Sequence, residues 1–306
     1  MRTSPRRGTE PASTGRYPIL VTGAPRSGTT WLARLLATAP GTVLAGREPM
    51  NPRGNQYALA HTVRGWVSLD AFDGRQRRVI RSAYRGLNPM VYSRYGRRQW
   101  AGPLPRSRMI VKDPFAMLSL GAVVDATRAT AVLVYRHPGA VLASYRRMGW
   151  KPDLEELQPI VARYRNERGM EIEDLPASGD VSEAESMGCF WGALYDIALW
   201  HAARIPAVTI VSHEELATGG VASGRRLLDH LGLRWNGDAA TELSQQGSAR
   251  SVAKSDLHNF DRAPASVAGE WRTKLEPGEI DVIERTTQRV RANIELFRLP
   301  LTEKSI

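Results

Sequence analysis

The chain has 306 residues, of which 42% are hydrophobic, and this is sufficient for the core of one large domain or two small ones. No apolar run approaches the length of about 18 residues that a membrane-spanning helix needs, so the sequence predicts no membrane span. Cys189 is the only cysteine, which excludes an internal disulfide and any metal site built from several cysteines.

The formal net charge of +11 comes mostly from arginine, which is densest in residues 78–85 and 94–100. Two interpretations stay open: a solvated basic surface, or a surface that attracts an anionic ligand. No zinc-finger spacing, aromatic RNA-binding signature or leucine-zipper heptad accompanies the charge. A nucleic-acid-binding module therefore has only the charge in its favour, and we do not expect nucleic acid as a partner.

Residues 1–16 contain a basic pair with no apolar stretch behind it. This composition favours a disordered leader over a secretion signal, and a cytoplasmic location follows as the default. The folded part of the chain is expected to begin at residue 17.

Strand-like runs then alternate with helical stretches. The strand-like runs are residues 17–23, 108–113, 130–136 and 207–213. This alternation predicts an α/β fold in which a single domain, residues 17–300, contains a central parallel sheet flanked by helices. Ligands bind beyond the carboxyl ends of parallel strands, so the residues that follow each run are the candidates for function.

Two less regular segments separate these units. Residues 47–107 mix tryptophan and tyrosine with many arginines, and we interpret them as the side of the domain that receives an acceptor substrate. Residues 149–185 are polar and are predicted to form a mobile lid. The alternative, that both segments are surface elaboration, stays open.

The first strand-like run leads into a glycine-containing turn, GAPRSGTTW, and then into a helix. Backbone N–H groups of residues 26–30 can converge on an anion at the positive end of that helix. Arg26 would add forked donors, and Thr29 and Thr30 would add hydroxyls. The lysine of the nucleoside-triphosphatase pattern is absent, because Thr29 occupies its position. The loop therefore favours a shorter anionic group that needs no metal ion.

Four segments together resemble the sulfotransferases that use 3′-phosphoadenosine 5′-phosphosulfate (PAPS). PRSGTTWL resembles their 5′-phosphosulfate loop, and VLVYRHPGAVLASYRR resembles their 3′-phosphate motif. VSHEEL and GEWRTKLEPGEIDVIE are similar to two later segments of the family. The resemblance implies a P-loop NTPase-like sulfotransferase fold, PAPS as donor and its desulfated form, PAP, as product. In the loop and in Glu48-Pro49 the chain is similar to the carbohydrate and tyrosyl-protein branches, as a bacterial member.

Spacing supports the phosphate motif independently. Arg136 leaves a strand and Ser144 follows about two helical turns later, so a guanidinium and a hydroxyl can face one crevice and hold a terminal phosphate. The resemblance also implies that Trp31 packs against adenine, although a core tryptophan is an equal alternative. The cofactor-binding residues that the resemblance implies are Arg26, Ser27, Gly28, Thr29, Thr30, Trp31, Arg136, Ser144, His213, Arg262 and Gly269.

The chain departs from the cytosolic branch of the family at two of these positions. His213 stands where that branch has a tyrosine near the adenine. Pro264 stands where it has an arginine, with Arg262 as a nearby substitute. The resemblance therefore implies that the last loop closes over the cofactor differently here.

Sulfuryl transfer needs an aligned oxygen nucleophile, a base for its proton, and cations around the transferring group. The resemblance gives the cationic roles to Arg26 and Lys112, so no metal ion is expected. For Lys112, an ordinary ion pair is the alternative.

The general base is the less determined choice. Pro114 stands where the cytosolic branch carries its histidine, whereas Glu48 matches the glutamate of the carbohydrate and tyrosyl-protein branches. We favour Glu48, with His61 and His137 in reserve and with mere charge neutralisation as the alternative for Glu48.

The sequence thus predicts a sulfotransferase that acts on a hydroxyl of a small-molecule or carbohydrate acceptor. A P-loop small-molecule kinase is the alternative, against which the missing lysine argues. The sequence leaves the acceptor and the oligomeric state open.

Overall fold

The computed structural model describes residues 17–52, 58–59, 61–177, 179–244 and 268–302. Within them, five strands form one fully parallel sheet in the order β2-β3-β1-β4-β5. The strands are β1 (Ile19–Thr22), β2 (Thr42–Leu44), β3 (Arg108–Lys112), β4 (Thr130–Tyr135) and β5 (Val208–Ser212). The predicted α/β fold with a parallel sheet is confirmed.

The strands are continuous apolar or β-branched runs because both faces of the sheet are covered. In β1, the side chain of Leu20 belongs to the core on one face, while Ile19 and Val21 belong to the core on the other. The sequence pattern located four of the five strands. It missed β2, whose three residues are too few for any periodicity to show.

Helices cover the two faces of this sheet. They are α1 (Thr29–Leu36), α2 (Gly74–Tyr84), α3 (Leu120–Thr127), α4 (Pro138–Met148), α5 (Leu154–Arg168), α6 (Glu183–Ala202), α7 (His213–His230), α8 (Gly237–Ser244) and α9 (Pro277–Phe297). α1, α7 and α8 supply the core on one face, and the other helices pack on the opposite face. None of the helices in the described ranges is both long and apolar enough to cross a bilayer.

The two less regular segments contain helices that the sequence reading missed. Residues 47–107 contain α2, and residues 149–185 contain α5, which packs on α6. In α5, Leu157 and Tyr164 are fully buried, so this half of the predicted lid is part of the core. Pro159 inside α5 and a weak separation of its polar and apolar faces explain why the pattern was not recognised. The acceptor and lid roles stay predictions, and residues 1–16 lie outside the described part.

The topology brings five connections to one edge of the sheet. Because the strands are parallel, the residues after β1, β2, β3, β4 and β5 all emerge at their carboxyl ends. β1 is central, and the chain proceeds first to one side of it (β2, β3) and then to the other (β4, β5). Such a reversal opens a crevice beyond the central strand, where α/β proteins bind ligands.

Candidate active site

The loop between β1 and α1 reverses sharply under backbone control. Gly28, the N-cap of α1, has a φ of 90°, and a Cβ atom there would lie 2.3 Å from Cδ2 of His213. Arg26 also has a positive φ, 71°. The backbone N–H of Ser27 donates to the carbonyl of Ala24 at 3.0 Å. The loop therefore has the turn-then-helix geometry that directs backbone N–H groups towards an anion.

A tyrosine from α6 holds this loop in place through hydrogen bonds. The hydroxyl of Tyr195 accepts from the N–H of Ala24 at 3.2 Å and donates to the carbonyl of Val134 at 2.8 Å. Oγ of Ser27 lies 3.2 Å from the same hydroxyl. Burial raises the pKa of Tyr195, so the hydroxyl stays protonated and able to donate. Tyr195 thus ties the loop to β4.

Arg136 and Ser144 both contact the loop. Nε of Arg26 donates to Oγ of Ser144 at 2.9 Å, and a guanidinium nitrogen of Arg136 lies 3.4 Å from the carbonyl of Arg26. The indole of Trp191 donates to the carbonyl of Arg136 at 3.0 Å, which holds the end of β4. The structure therefore brings together the loop, the strand end and α4.

Positive charge is concentrated at this loop. Burial, and then the neighbouring guanidiniums of Arg147 and Arg136, lower the pKa of Arg26 to about 10. Burial also lowers the pKa of Arg136, although the carboxylate of Glu214 opposes that shift. Like charges crowd each other in this way at sites built for an anionic ligand.

His213 and Trp31 meet on the other side of the loop. Their rings are 5.3 Å apart in an edge-on arrangement, and the indole of Trp31 donates to the carbonyl of Glu242 at 3.4 Å. His213 is buried at the first turn of α7, and burial together with Arg136 lowers its pKa to about 3. A neutral imidazole and an indole therefore lie next to the loop.

The imidazole of His137 is largely buried, and both of its nitrogens have hydrogen-bond partners. Its Nδ1 accepts from the N–H of Gly139 at 3.1 Å and caps α4, while its Nε2 lies 2.9 Å from the carboxylate of Glu284. The ring stacks on Trp271 at 4.1 Å, and burial lowers its pKa to about 3. With both ring nitrogens engaged, His137 is a poor candidate for the base.

Four further residues were predicted to bind the cofactor. Thr29 is buried at the start of α1, and Thr30 is half-buried beside it. Gly269 caps the short 3-10 helix Glu270–Thr273, whose Trp271 packs on α4. Arg262 lies outside the described residues.

The part of the crevice beside β3 contains an ion pair. The ammonium of Lys112, the last residue of β3, contacts Oε1 of Glu48, and the amide of Asn51 donates to Oε2. Both charged side chains are largely shielded from solvent, at 20% and 16% exposure. Lys112 pairs with Val21 in β1, so this ion pair lies beside the strand from which the loop leaves.

A second carboxylate, Asp113, lies directly behind that pair. It is fully buried, and its two oxygens accept from the N–H groups of Met50 at 2.5 Å and Phe115 at 3.1 Å. Burial and then the neighbouring Glu48 raise the pKa of Asp113. Asp113 therefore holds the turn that carries Glu48 against the end of β3.

Sequence reasoning missed Asp113, Arg147 and Tyr195. Arg147 follows Ser144 by one helical turn, and Asp113 follows Lys112 directly, so both had a local signal. Tyr195 had none, because it reaches the loop from a distant helix. His61 is exposed and has a positive φ of 60°. Within the described ranges, no group of three or more His, Cys, Asp or Glu residues is arranged to hold a metal ion.

Comparisons with known proteins concern the family and the fold. Residues 18–237 match the family model described as "Sulfotransferase family". The fold is similar to the sulfotransferase domain from the curacin biosynthetic pathway, with 16% identity, a TM-score of 0.53 and coverage of 94% of this chain and 100% of that one. This likeness concerns the fold alone. The family match gives the kinase alternative no support.

Two other sulfotransferase structures align less closely. Mouse SULT7A1, solved with PAP, has 15% identity and a TM-score of 0.48, and the alignment covers 92% of this chain and 89% of that one. STF1 from Mycobacterium tuberculosis H37Rv has 17% identity and a TM-score of 0.37, with coverage of 85% and 77%. A comparison with curated protein sequences finds no match.

Proposed function

Because the chain belongs to the sulfotransferase family, we propose that it transfers a sulfuryl group from PAPS to a hydroxyl of a small-molecule or carbohydrate acceptor, with Glu48 as general base. The observation that carries this proposal is the pairing of two unlike environments at one edge of the sheet. One is a cluster of arginines around an anion-binding loop, and the other is a shielded carboxylate–lysine pair.

The arginine cluster fits the two phosphate-bearing ends of PAPS. The turn of residues 23–28 and the start of α1 would hold the 5′ end through backbone N–H groups, aided by the side chain of Arg26. Arg136 and Ser144 would hold the 3′-phosphate, with Arg147 adding charge from one helical turn further along α4. Trp31 and His213 would border the adenine. PAPS, when bound, supplies the sulfuryl group and a phosphate leaving group.

On the proposed acceptor side, Glu48 would accept a proton and Lys112 would stabilise a negative charge. Lys112 and Asn51 each contact one oxygen of the Glu48 carboxylate. Each oxygen keeps a second lone pair, so Glu48 can still accept the proton of an attacking hydroxyl. Lys112 then lies where it can stabilise negative charge on the transferring group.

The proposed mechanism needs no metal ion. Arg26 and Lys112 carry the positive charge that a divalent cation supplies to phosphoryl-transfer enzymes. His137 is a weaker candidate for the base than Glu48, since both its nitrogens are already engaged. His61 stays an alternative, and the cytoplasmic location stays a proposal.

The direct test is incubation of the full chain with PAPS that carries radioactive sulfur, in the presence of a chelator. A panel of phenols, sugars, glycosides and aliphatic alcohols would serve as acceptors. We expect the label on an acceptor whose mass has increased by one SO3 unit. Absence of transfer to every acceptor, combined with absence of PAP binding, would contradict the proposal.

Thermal unfolding separates the proposal from its rivals. PAP should raise the melting temperature with no Mg²⁺ present, whereas ATP should raise it little. Strong stabilisation by Mg²⁺–ATP without an effect of PAP would favour a kinase. Tight binding of DNA at physiological salt would favour a nucleic-acid-binding module.

A further inference from the structure

A cavity separate from the candidate active site lies at the opposite edge of the sheet. Its volume is about 670 Å³, within the usual range for sites of small molecules. It is lined by Pro18 just before β1, Met109 at the start of β3, and Arg128 just before β4. β4 alone has six residues and is about 20 Å long, so the length of the strands separates this amino-edge cavity from the candidate active site.

Arginine dominates the polar part of the amino-edge cavity. Its arginines are Arg77, Arg81, Arg85 and Arg128. The first three recur every four residues, which places them on one face of α2 and its C-cap. Asp125 is the sole acid among the described lining residues, and it pairs with Arg77 at 2.9 Å. Like charges at this spacing repel each other along a helix, and an anion between Arg81 and Arg85 would relieve that repulsion.

Another part of the wall of the amino-edge cavity is apolar and open to solvent. Leu87 is 57% exposed and Leu104 is 50% exposed, and Pro103 and Pro105 lie beside them. Inorganic phosphate or a nucleic-acid backbone gains nothing from such a wall. A molecule with a charged head and a hydrocarbon chain would use the arginines and the leucines together.

We propose that the amino-edge cavity binds the anionic headgroup of an amphiphile, with Arg81 and Arg85 on the headgroup and Leu87 and Leu104 on the hydrocarbon chain. The headgroup can belong to a free amphiphile or to a lipid in a bilayer, since the chemistry is the same. This site would give a role to the arginine-rich stretch 78–85, of which Arg81 and Arg85 line the cavity. It is independent of the proposed function, because none of its residues belongs to the candidate active site.

Calorimetry on the full chain with three probes tests the ligand class. The probes are n-decyl phosphate below its micelle-forming concentration, inorganic phosphate, and the uncharged detergent decyl maltoside. We expect decyl phosphate to bind at one site, about tenfold or more tightly than either of the others, because only it engages both the arginines and the leucines. If inorganic phosphate or decyl maltoside binds as tightly as decyl phosphate, the amphiphile proposal is wrong.

Two double variants on the same helix test the location. Arg81→Gln combined with Arg85→Gln should weaken binding of decyl phosphate about tenfold or more. Arg75→Gln combined with Arg78→Gln is the matched control, because it removes the same charge from two exposed residues of α2 that lie outside the cavity. The control should bind almost as the wild type does, and both variants should keep the melting temperature and any sulfotransferase activity. An equal loss in both variants would show non-specific attraction and overturn the proposal.

Vesicles identify the source of the headgroup. The chain is mixed with vesicles that contain phosphatidylglycerol. A bilayer lipid is supported as the ligand if the wild type and the control variant bind these vesicles and the variant with Arg81→Gln and Arg85→Gln does not. Binding of monomeric decyl phosphate alone would support a free amphiphile. If neither binds, or if a single-stranded oligonucleotide binds through Arg81 and Arg85 in their place, the proposal is overturned.

Discussion

The two sides of the candidate active site handle charge in opposite ways. On the side of β1 and β4, the guanidiniums of Arg26 and Arg136 are largely buried, and Arg147 adds a third like charge near them. On the side of β2 and β3, the opposite charges of Glu48 and Lys112 neutralise each other. The first side concentrates charges of one sign, whereas the second pairs opposite charges before any ligand arrives. We infer that the first side serves binding and the second serves chemistry.

Glu48→Gln is the strongest test of that division. Glutamine keeps the size of the side chain and loses the ability to accept a proton, so turnover should fall about 10²–10⁴-fold. The affinity for PAP should stay nearly constant, because Glu48 belongs to the chemical side. Steady-state kinetics with saturating acceptor, together with calorimetry of PAP, provide both readouts.

The two reserve bases act as controls for Glu48. His61→Ala and His137→Ala should each reduce turnover much less than Glu48→Gln does. If Glu48→Gln retains near-normal turnover while one histidine variant is inactive, that histidine is the base. In that case the division between the two sides would stand, but the role of Glu48 would not.

Arg136→Ala tests the binding side. Loss of a charged hydrogen-bonding partner of the 3′-phosphate should weaken PAP binding by about 1.5–3 kcal/mol. Arg75→Ala, an exposed position on α2, removes the same charge away from the site and should leave PAP binding unchanged. Wild-type affinity of Arg136→Ala in calorimetry would remove Arg136 from the cofactor site.

Asp113→Asn tests whether Asp113 positions the turn that carries Glu48. An asparagine amide offers one oxygen, so one of the two backbone N–H groups that Asp113 now satisfies would face an NH2 group. The turn that carries Glu48 should shift, and kcat should fall about tenfold while PAP affinity is kept. Asp281→Asn, on an exposed face of α9, is the control. An equal loss of PAP affinity and turnover would instead indicate general damage to the fold.

The smallest expected effect is on the dependence of the free energy of unfolding on pH, through two largely buried histidines. Burial lowers the pKa of His137 and of His213 to about 3, so both stay neutral in the folded chain while the unfolded chain takes up protons below about pH 6.5. The unfolded state then binds more protons, and the free energy of unfolding should fall as the pH is lowered from about 6.5 towards 3.

Replacement of His137 tests how steeply the free energy of unfolding depends on pH. Between about pH 6 and pH 4, each buried neutral histidine should contribute about 1 kcal/mol of lost stability per pH unit. His137→Gln should remove that share and make the slope shallower than that of the wild type. Urea unfolding at several pH values measures the difference. Equal slopes for wild type and His137→Gln would mean that the imidazole of His137 is not held neutral.

Much of the binding side was predictable because its signals are local. The turn GAPRSG, the start of α1, and the eight-residue spacing of Arg136 and Ser144 are contiguous patterns, and the structure brings their residues together. The lid segment was harder to interpret. Its polar composition hid α5, whose Leu157 and Tyr164 are buried only because α6 packs against them.

The sequence by itself determined the α/β fold, the phosphate-type loop and the identity of the charged residues, because strand runs, turns and helix starts depend on neighbours along the chain. Only the tertiary structure decided that Asp113 holds the N–H of Met50, 63 residues away, and that Tyr195 supports Ser27 across 168 residues. These contacts follow from the strand order β2-β3-β1-β4-β5, which brings distant loops to one edge of the sheet. Strand order depends on how apolar faces pack together, and no local pattern in the sequence encodes it.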